Sequence, residues 1–141
     1  MAKGILVAVS GGFDPVHKGH IQMFLEAKKL GDKLVVILNS DDWLKRKKGK
    51  AFMSEEERAF IIEQLKPVDA VYIHHSDNDD VASALKYLKP DIFANGGDRK
   101  EGNTPEKEVC DELGIQMVFG VGGEKIQSSS KLLNDHKSNF N

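Results

Sequence analysis

The sequence has 141 residues, 40% of them hydrophobic, with 22 acidic and 20 basic side chains for a formal charge of −2. That length suits one domain with its own core, since a chain of this size buries roughly two-thirds of its unfolded surface. Near-neutrality excludes a surface that attracts nucleic acid or anionic membrane as a whole, and the lone cysteine excludes an internal disulfide or a multi-cysteine zinc site.

At the start, Met1-Ala2-Lys3-Gly4 leads into five apolar residues, Ile5 to Val9. Five is too few for a signal-peptide core, and no apolar run nears the roughly 18 residues of a membrane span. A soluble, cytoplasmic protein is expected. Ile5–Val9 reads as a first strand, without the in/out alternation of a half-exposed one. It runs into Ser10-Gly11-Gly12-Phe13-Asp14-Pro15-Val16-His17-Lys18-Gly19-His20. Gly11 and Gly12 would let backbone approach a ligand and permit positive φ. Ile21, Phe24, Leu25, Lys28 and Leu30 then space a helix over 19–30. Its first turn offers unpaired N–H groups and a positive dipole end, which suits phosphate. Neither G-x-x-x-x-G-K-[ST] nor G-x-G-x-x-G is present.

His17-x-x-His20 sets two imidazoles on one face of that helix start. Metal ligation lacks the Glu of H-E-x-x-H and any third ligand nearby. Incidental histidines on a polar helix start are the bland alternative. Anion recognition accounts for the glycines, the helix start and the pair together. Imidazole N–H groups can follow charge as it grows on a pentacoordinate phosphorus. Asp14 reads as a loop-fixing carboxylate that caps backbone N–H groups, without a metal role.

Leu34–Leu38 is the second strand, followed by Asn39-Ser40-Asp41-Asp42 and then Trp43. Five of the six residues from Lys45 to Lys50 are basic. A solvated loop or a nucleic-acid patch are the alternatives to a mobile basic flap over phosphates. The patch is disfavoured by the slight negative charge and by aromatics limited to Trp43 and Phe52. Ser54-Glu55-Glu56-Glu57 is a capping box ahead of Ala59, Ile61, Ile62 and Leu65, and Pro67 stops that helix. Arg58 within it could be a mere surface salt bridge.

Ala70–Ile73 is the third strand, closed by His74 and His75, which read as bystanders. The acidic run Asp77, Asn78, Asp79 and Asp80 suits capping of a helix over 79–88 better than a metal site. Asp91–Ala94, the fourth strand, ends in Asn95-Gly96-Gly97-Asp98-Arg99. A helix over 105–113 holds Cys110 as a buried thiol. Gln116–Phe119 is the fifth strand, Gly120–Gly123 a flexible turn, and Ser128-Ser129-Ser130-Lys131 opens a short helix to Asn134. Hydroxyls at such a start serve as N-cap or phosphate cradle.

Five strands alternating with helices specify an α/β fold: a Rossmann-like, open, mostly parallel five-stranded sheet with helices on both faces, as one domain over 1–141. Ligands in such sheets sit beyond the carboxyl ends of the strands.

Gly12-Phe13-Asp14-Pro15-x-His17-x-Gly19-His20 resembles the H-x-G-H signature of the nucleotidylyltransferase superfamily, in its cytidylyltransferase-like branch. The resemblance implies transfer of a nucleotidyl group from a nucleoside triphosphate to a phosphorylated acceptor, with release of pyrophosphate. It implies catalytic roles for His17, His20, Lys48 and Arg58. Lys48 lies in a segment similar to the K-R-x-K-G loop of heptose-phosphate enzymes, with Lys47 and Lys50 as rivals. Arg58 matches an E-x-x-R element that holds a phosphate or supports the site. Gly11, Gly12, Phe13, Gly19, Gly96, Gly97, Asp98, Ser128, Ser129 and Ser130 would bind the nucleotide. Mg2+ is expected with the triphosphate, without assigned protein ligands. The short chain resembles glycerol-3-phosphate cytidylyltransferases, which inclines the reading to CTP and a small phosphorylated polyol, sugar or amino alcohol. ATP-dependent enzymes of the heptose-phosphate, pantetheine-phosphate or nicotinamide-mononucleotide type are the alternative, and a non-catalytic nucleotide-binding module is a third. Neither nucleic acid nor membrane is expected as a partner; the apolar helix faces permit a homodimer.

Overall fold

The computed structural model describes residues 4–75, 80–96 and 105–122. Expectations for Asp77–Asp79, Gly97–Arg99 and the Ser128–Asn134 helix fall outside the described residues. The strands are β1 (Leu6–Gly11), β2 (Lys33–Asn39), β3 (Ala70–His74), β4 (Ile92–Gly96) and β5 (Gln116–Val121). The helices are α1 (Lys18–Lys28), α2 (Asp41–Lys48), α3 (Glu55–Glu63), α4 (Ala82–Leu88) and α5 (Pro105–Leu113).

Among the described residues all four strand pairings are parallel, in the order β3-β2-β1-β4-β5. Chain direction across the sheet therefore reverses between β1 and β4, the switch point at which such sheets open a crevice. β1 and β2 are buried through their centres because helices cover both faces. On one side Val7, Val9, Val36 and Leu38 pack with Phe24 and Ala27 of α1 and with Ala59 and Ile62 of α3. On the other, Ala8, Ile37 and Phe93 pack with Leu85 of α4 and with Val109 and Cys110 of α5. Burial holds the Cys110 thiol up at about 11, helped by the charges of Asp111 and Glu106.

The amino edge of the sheet is closed by three aspartates that each stand at the entry to a strand. Asp32 accepts from Ile5 N at 2.6 Å, Asp69 from Leu34 N at 2.8 Å and Asp91 from Leu6 N at 2.8 Å. Each carboxylate satisfies an amide of a neighbouring strand that parallel pairing would leave open.

Several expectations need correction. Residues 41–48 are a helix, α2, where a basic flap was expected. Ser40 caps it by accepting from Trp43 N, Asp41 and Asp42 occupy the first turn, and the basic residues crowd the last turn, where the dipole favours them. Gly49, at φ 87°, ends it in the left-handed conformation. Leu25, expected on the core face of α1, is exposed, and Phe24 and Ala27 carry the packing. α3 ends at Glu63, ahead of Pro67.

Candidate active site

The β1–α1 loop sits at the carboxyl end of the central strand. His17 is the N-cap of α1, with extended backbone, and its Nδ1 accepts from Gly19 N at 3.1 Å. His20, three residues on, accepts through Nδ1 from His17 N at 3.2 Å. Two histidines thus perform the reciprocal capping that Ser and Glu perform elsewhere. The rings stack with centroids 3.7 Å apart and 19° between planes. Since each Nδ1 accepts, the neutral form of each ring carries its proton on Nε2. The pair therefore offers two Nε2–H donors beside the N-terminal end of α1.

Gly19 exists for this stack. A Cβ there would lie 3.0 Å from Cε1 and 3.2 Å from Nδ1 of His17. Gly11 and Gly12 serve differently from expectation. Neither has positive φ; the left-handed residue of the loop is Phe13, at φ 47°. A Cβ on Gly11 would come 2.8 Å from Phe13 Cζ, and one on Gly12 3.0 Å from Leu44 Cδ2. The space the glycines leave is filled by the protein's own side chains. Phe13, expected against the nucleotide, is buried and meets His20 edge to face at 4.8 Å and Phe24 at 5.1 Å. It supports the histidine pair from below.

Asp14 is buried and takes the amides of Phe52 and Met53, the latter at 2.7 Å. It fixes two backbone N–H groups, as expected, in a segment 38 and 39 residues away. Among the described residues Arg58 is the largest fully buried side chain. Its Nε donates to Met53 O at 3.0 Å and Nη1 to Gly12 O at 2.7 Å and Asn39 O at 2.8 Å. Nη2 pairs with Asp41 Oδ1 at 2.8 Å. The guanidinium is thus committed to the protein, and it joins the tips of β1 and β2 to the starts of α2 and α3. From this fully buried position it braces the loops around the strand tips. Glu55 adds a second tie, accepting from Asp41 N at 2.9 Å and pairing with His75 at 3.0 Å.

Lys48 stands exposed at the end of α2, with Lys47 and Lys50 equally outward. Gly96 ends β4, where a Cβ would lie 3.4 Å from Met23 Sδ, so the fourth strand's tip abuts α1. His74 is buried with Nε2 3.1 Å from Asp80 O, and Asp80 Oδ1 accepts from Ala82 N, the helix-start role expected of it. Among the described residues no group of three His, Cys, Asp or Glu side chains could hold a metal ion. None of the described helices is long and apolar enough to cross a membrane.

Sequence reading missed Asn39, Asp41 and Glu55 as parts of the site. Their partners lie 14 to 19 residues away, across the tip of the sheet. The one local signal was Ser40-Asp41-Asp42 before an amphipathic run, a helix start.

The cytidylyltransferase-like family model matches residues 8–130. The FAD synthase of Aciduliprofundum boonei is 38% identical over 113 residues, which cover 80% of this chain and 74% of that one. The FAD synthase of Picrophilus torridus is 35% identical over 130 residues, 89% of this chain and 91% of that one. The bifunctional protein HldE of Blochmanniella pennsylvanica is 38% identical over 120 residues, and the match spans only 23% of its length. Among solved structures, the lipopolysaccharide core biosynthesis protein from Thermoplasma volcanium is similar at a TM-score of 0.70 and 34% identity, over 84% of this chain and 95% of that one.

Proposed function

The chain belongs to the cytidylyltransferase-like family and is a nucleotidyltransferase; from that premise we propose that it transfers the adenylyl group of ATP to a phosphorylated acceptor and releases pyrophosphate. The sequence by itself inclined to CTP and a small polyol phosphate. The FAD synthases, matched over most of their length, favour ATP instead, with FMN as the acceptor. HldE and the lipopolysaccharide-core protein support a second reading, in which a heptose phosphate takes that place.

The observation that carries the chemistry is the stacked pair His17 and His20, each held by a backbone amide on Nδ1. Their Nε2–H groups and the N-terminus of α1 are donors fixed before substrate arrives. The acceptor phosphate attacks the α-phosphorus, the bond to the bridging oxygen breaks, and charge builds on the triphosphate oxygens. Donors that need no reorganisation stabilise that charge most. Lys48, with Lys47 and Lys50 as rivals, would neutralise the departing pyrophosphate from the end of α2. Gly96, Gly97 and Asp98 would hold the nucleoside, and Ser128, Ser129 and Ser130 the outer phosphates. Nucleotidyltransferases of this type use Mg2+ with the triphosphate. When bound with the triphosphate, the ion would neutralise phosphate charge.

Pyrophosphate release tests the reading: ATP and CTP, each with FMN, heptose 1-phosphate and glycerol 3-phosphate. Turnover with ATP and FMN is expected. Turnover with ATP and heptose 1-phosphate alone selects the second reading, and CTP-only turnover overturns both.

A further inference from the structure

Nucleotidyl transfer has a geometric requirement that divides this site in two. Attacking and leaving oxygens lie roughly in line, on opposite sides of phosphorus. With pyrophosphate departing toward His17 and His20 beside α1, an in-line acceptor would come from the side away from α1, toward the strand tips on the sheet face that packs against α4 and α5.

That face changes character at the strand tips. Side chains alternate along a strand, and Val35 and Ile37 of β2 point into the α4/α5 core, as do Ala8 of β1 and Phe93 of β4. The next positions of the same parity are Asn39, Ser10 and Asn95, and on β3, after Tyr72, it is His74. Four adjacent strands thus end in a polar row on one face. Asn39 and His74 are register partners, and Asn39, His74 and Asn95 are each about 95% buried (5%, 4% and 4% exposed).

Most of this row is satisfied within the chain. Asn95 Nδ2 donates to the carbonyls of Phe93 and Val118 at 3.3 and 3.4 Å, and His74 Nε2 to that of Asp80. Asn39 differs. Its Oδ1 is buried without a hydrogen-bond partner, while its main-chain oxygen is held by Arg58. A buried acceptor left unmet destabilises the fold, and a leucine of similar volume would avoid that cost. An amide oxygen accepts, so its missing partner must donate. Ionised phosphate cannot; a hydroxyl of a sugar or polyol chain can.

We infer that Asn39 is a specificity-determining residue that accepts a hydrogen bond from a hydroxyl of the acceptor's polyol or sugar portion. This deepens the nucleotidyl-transfer reading and rests on it. The ribityl chain of FMN and the ring of a heptose phosphate share this chemistry, and the assay arms separate them.

The test compares wild type with Asn39→Leu and Asn39→Ser, reading KM for ATP and for each acceptor, thermal midpoint, and turnover of acceptors lacking single hydroxyls. Asn39→Leu is expected to raise the acceptor KM about tenfold or more, to leave the ATP KM within about twofold, and not to lower the midpoint. One deoxy acceptor should cost wild type the same factor and cost Asn39→Leu nothing further. An unchanged acceptor KM, an equal rise in both KM values, or full additivity with every deoxy acceptor overturns the inference. Should Asn39→Leu fail to fold, Asn39→Ser carries the same comparison. If wild type turns over no acceptor, the function reading fails separately, and equilibrium dialysis of labelled FMN and heptose 1-phosphate against wild type and variants decides the role of Asn39.

Discussion

The guanidinium of Arg58 donates to the main-chain oxygen of Asn39 at 2.8 Å, and through the same Nη1 to that of Gly12 at 2.7 Å. One nitrogen therefore sets the distance between the tips of β1 and β2. Arg58→Ala would strand three carbonyls and open a cavity, and is expected to cost about 3 kcal/mol or more. Urea unfolding measures it. Arg58→Lys, which reaches fewer acceptors, should fall between. A loss below about 1 kcal/mol in the alanine variant would show that these bonds are replaced by water.

His17 has one duty that the structure shows and one that the proposed reaction assigns. Its Nδ1 caps α1, and in that reaction its Nε2–H would meet the triphosphate. His17→Ala should lower turnover about 10²-fold or more and also destabilise by about 1 kcal/mol, the worth of a cap. His17→Asn keeps a capping oxygen and is expected to restore stability while turnover stays low. Recovery of turnover in His17→Asn would assign the residue to capping alone.

Gly19→Ala sets local propensity against the site. Alanine in a first turn ordinarily favours helix by up to about 1 kcal/mol over glycine. Here the added Cβ would stand 3.0 Å from the His17 ring. Turnover should fall about tenfold or more, because a displaced donor loses most of its worth, without a large loss of thermal midpoint. Wild-type turnover would show that the ring relocates freely.

Asp69 gives the acid dependence of stability. Its hydrogen bond from Lys28 and the amide of Leu34 hold the carboxyl below its ordinary 3.8. A depressed folded-state pKa contributes stability that is present above the unfolded value and lost as pH falls through the folded one. The contribution should therefore disappear in acid below about pH 4, and Asp69→Asn should flatten that part of the stability profile. Equal acid sensitivity in the variant places the effect elsewhere.

Cys110, buried and with its thiol up at about 11, should resist iodoacetamide in the native protein at pH 8. It should react once the chain is unfolded in urea, as mass spectrometry would record.

β1 and β2 were the most legible strands because each is a compact β-branched run buried on both faces, so burial and propensity agree; β4 has few β-branched residues and the edge strand β5 is only partly buried, so both read less clearly. α2 was not, because its basic residues suggested phosphate contact before helical order. The Ser40 cap, the acidic first turn and Gly49 were the better guides. His17, His20 and Gly19 were legible as a motif. What the motif could not show is that Gly11 and Gly12 make room for Phe13 and Leu44, or that Asp14 reaches Phe52 and Met53. Those relations need the tertiary neighbour. The same holds for the polar row at the strand tips, which exists only once four separated segments share an edge.

Asp32, Asp69 and Asp91 make the amino edge of the sheet a foundation at the end opposite the proposed site. Substitutions at the opposite edge can therefore exchange one acceptor for another while the foundation stands. A fold so partitioned is free to diversify its chemistry without renegotiating its architecture.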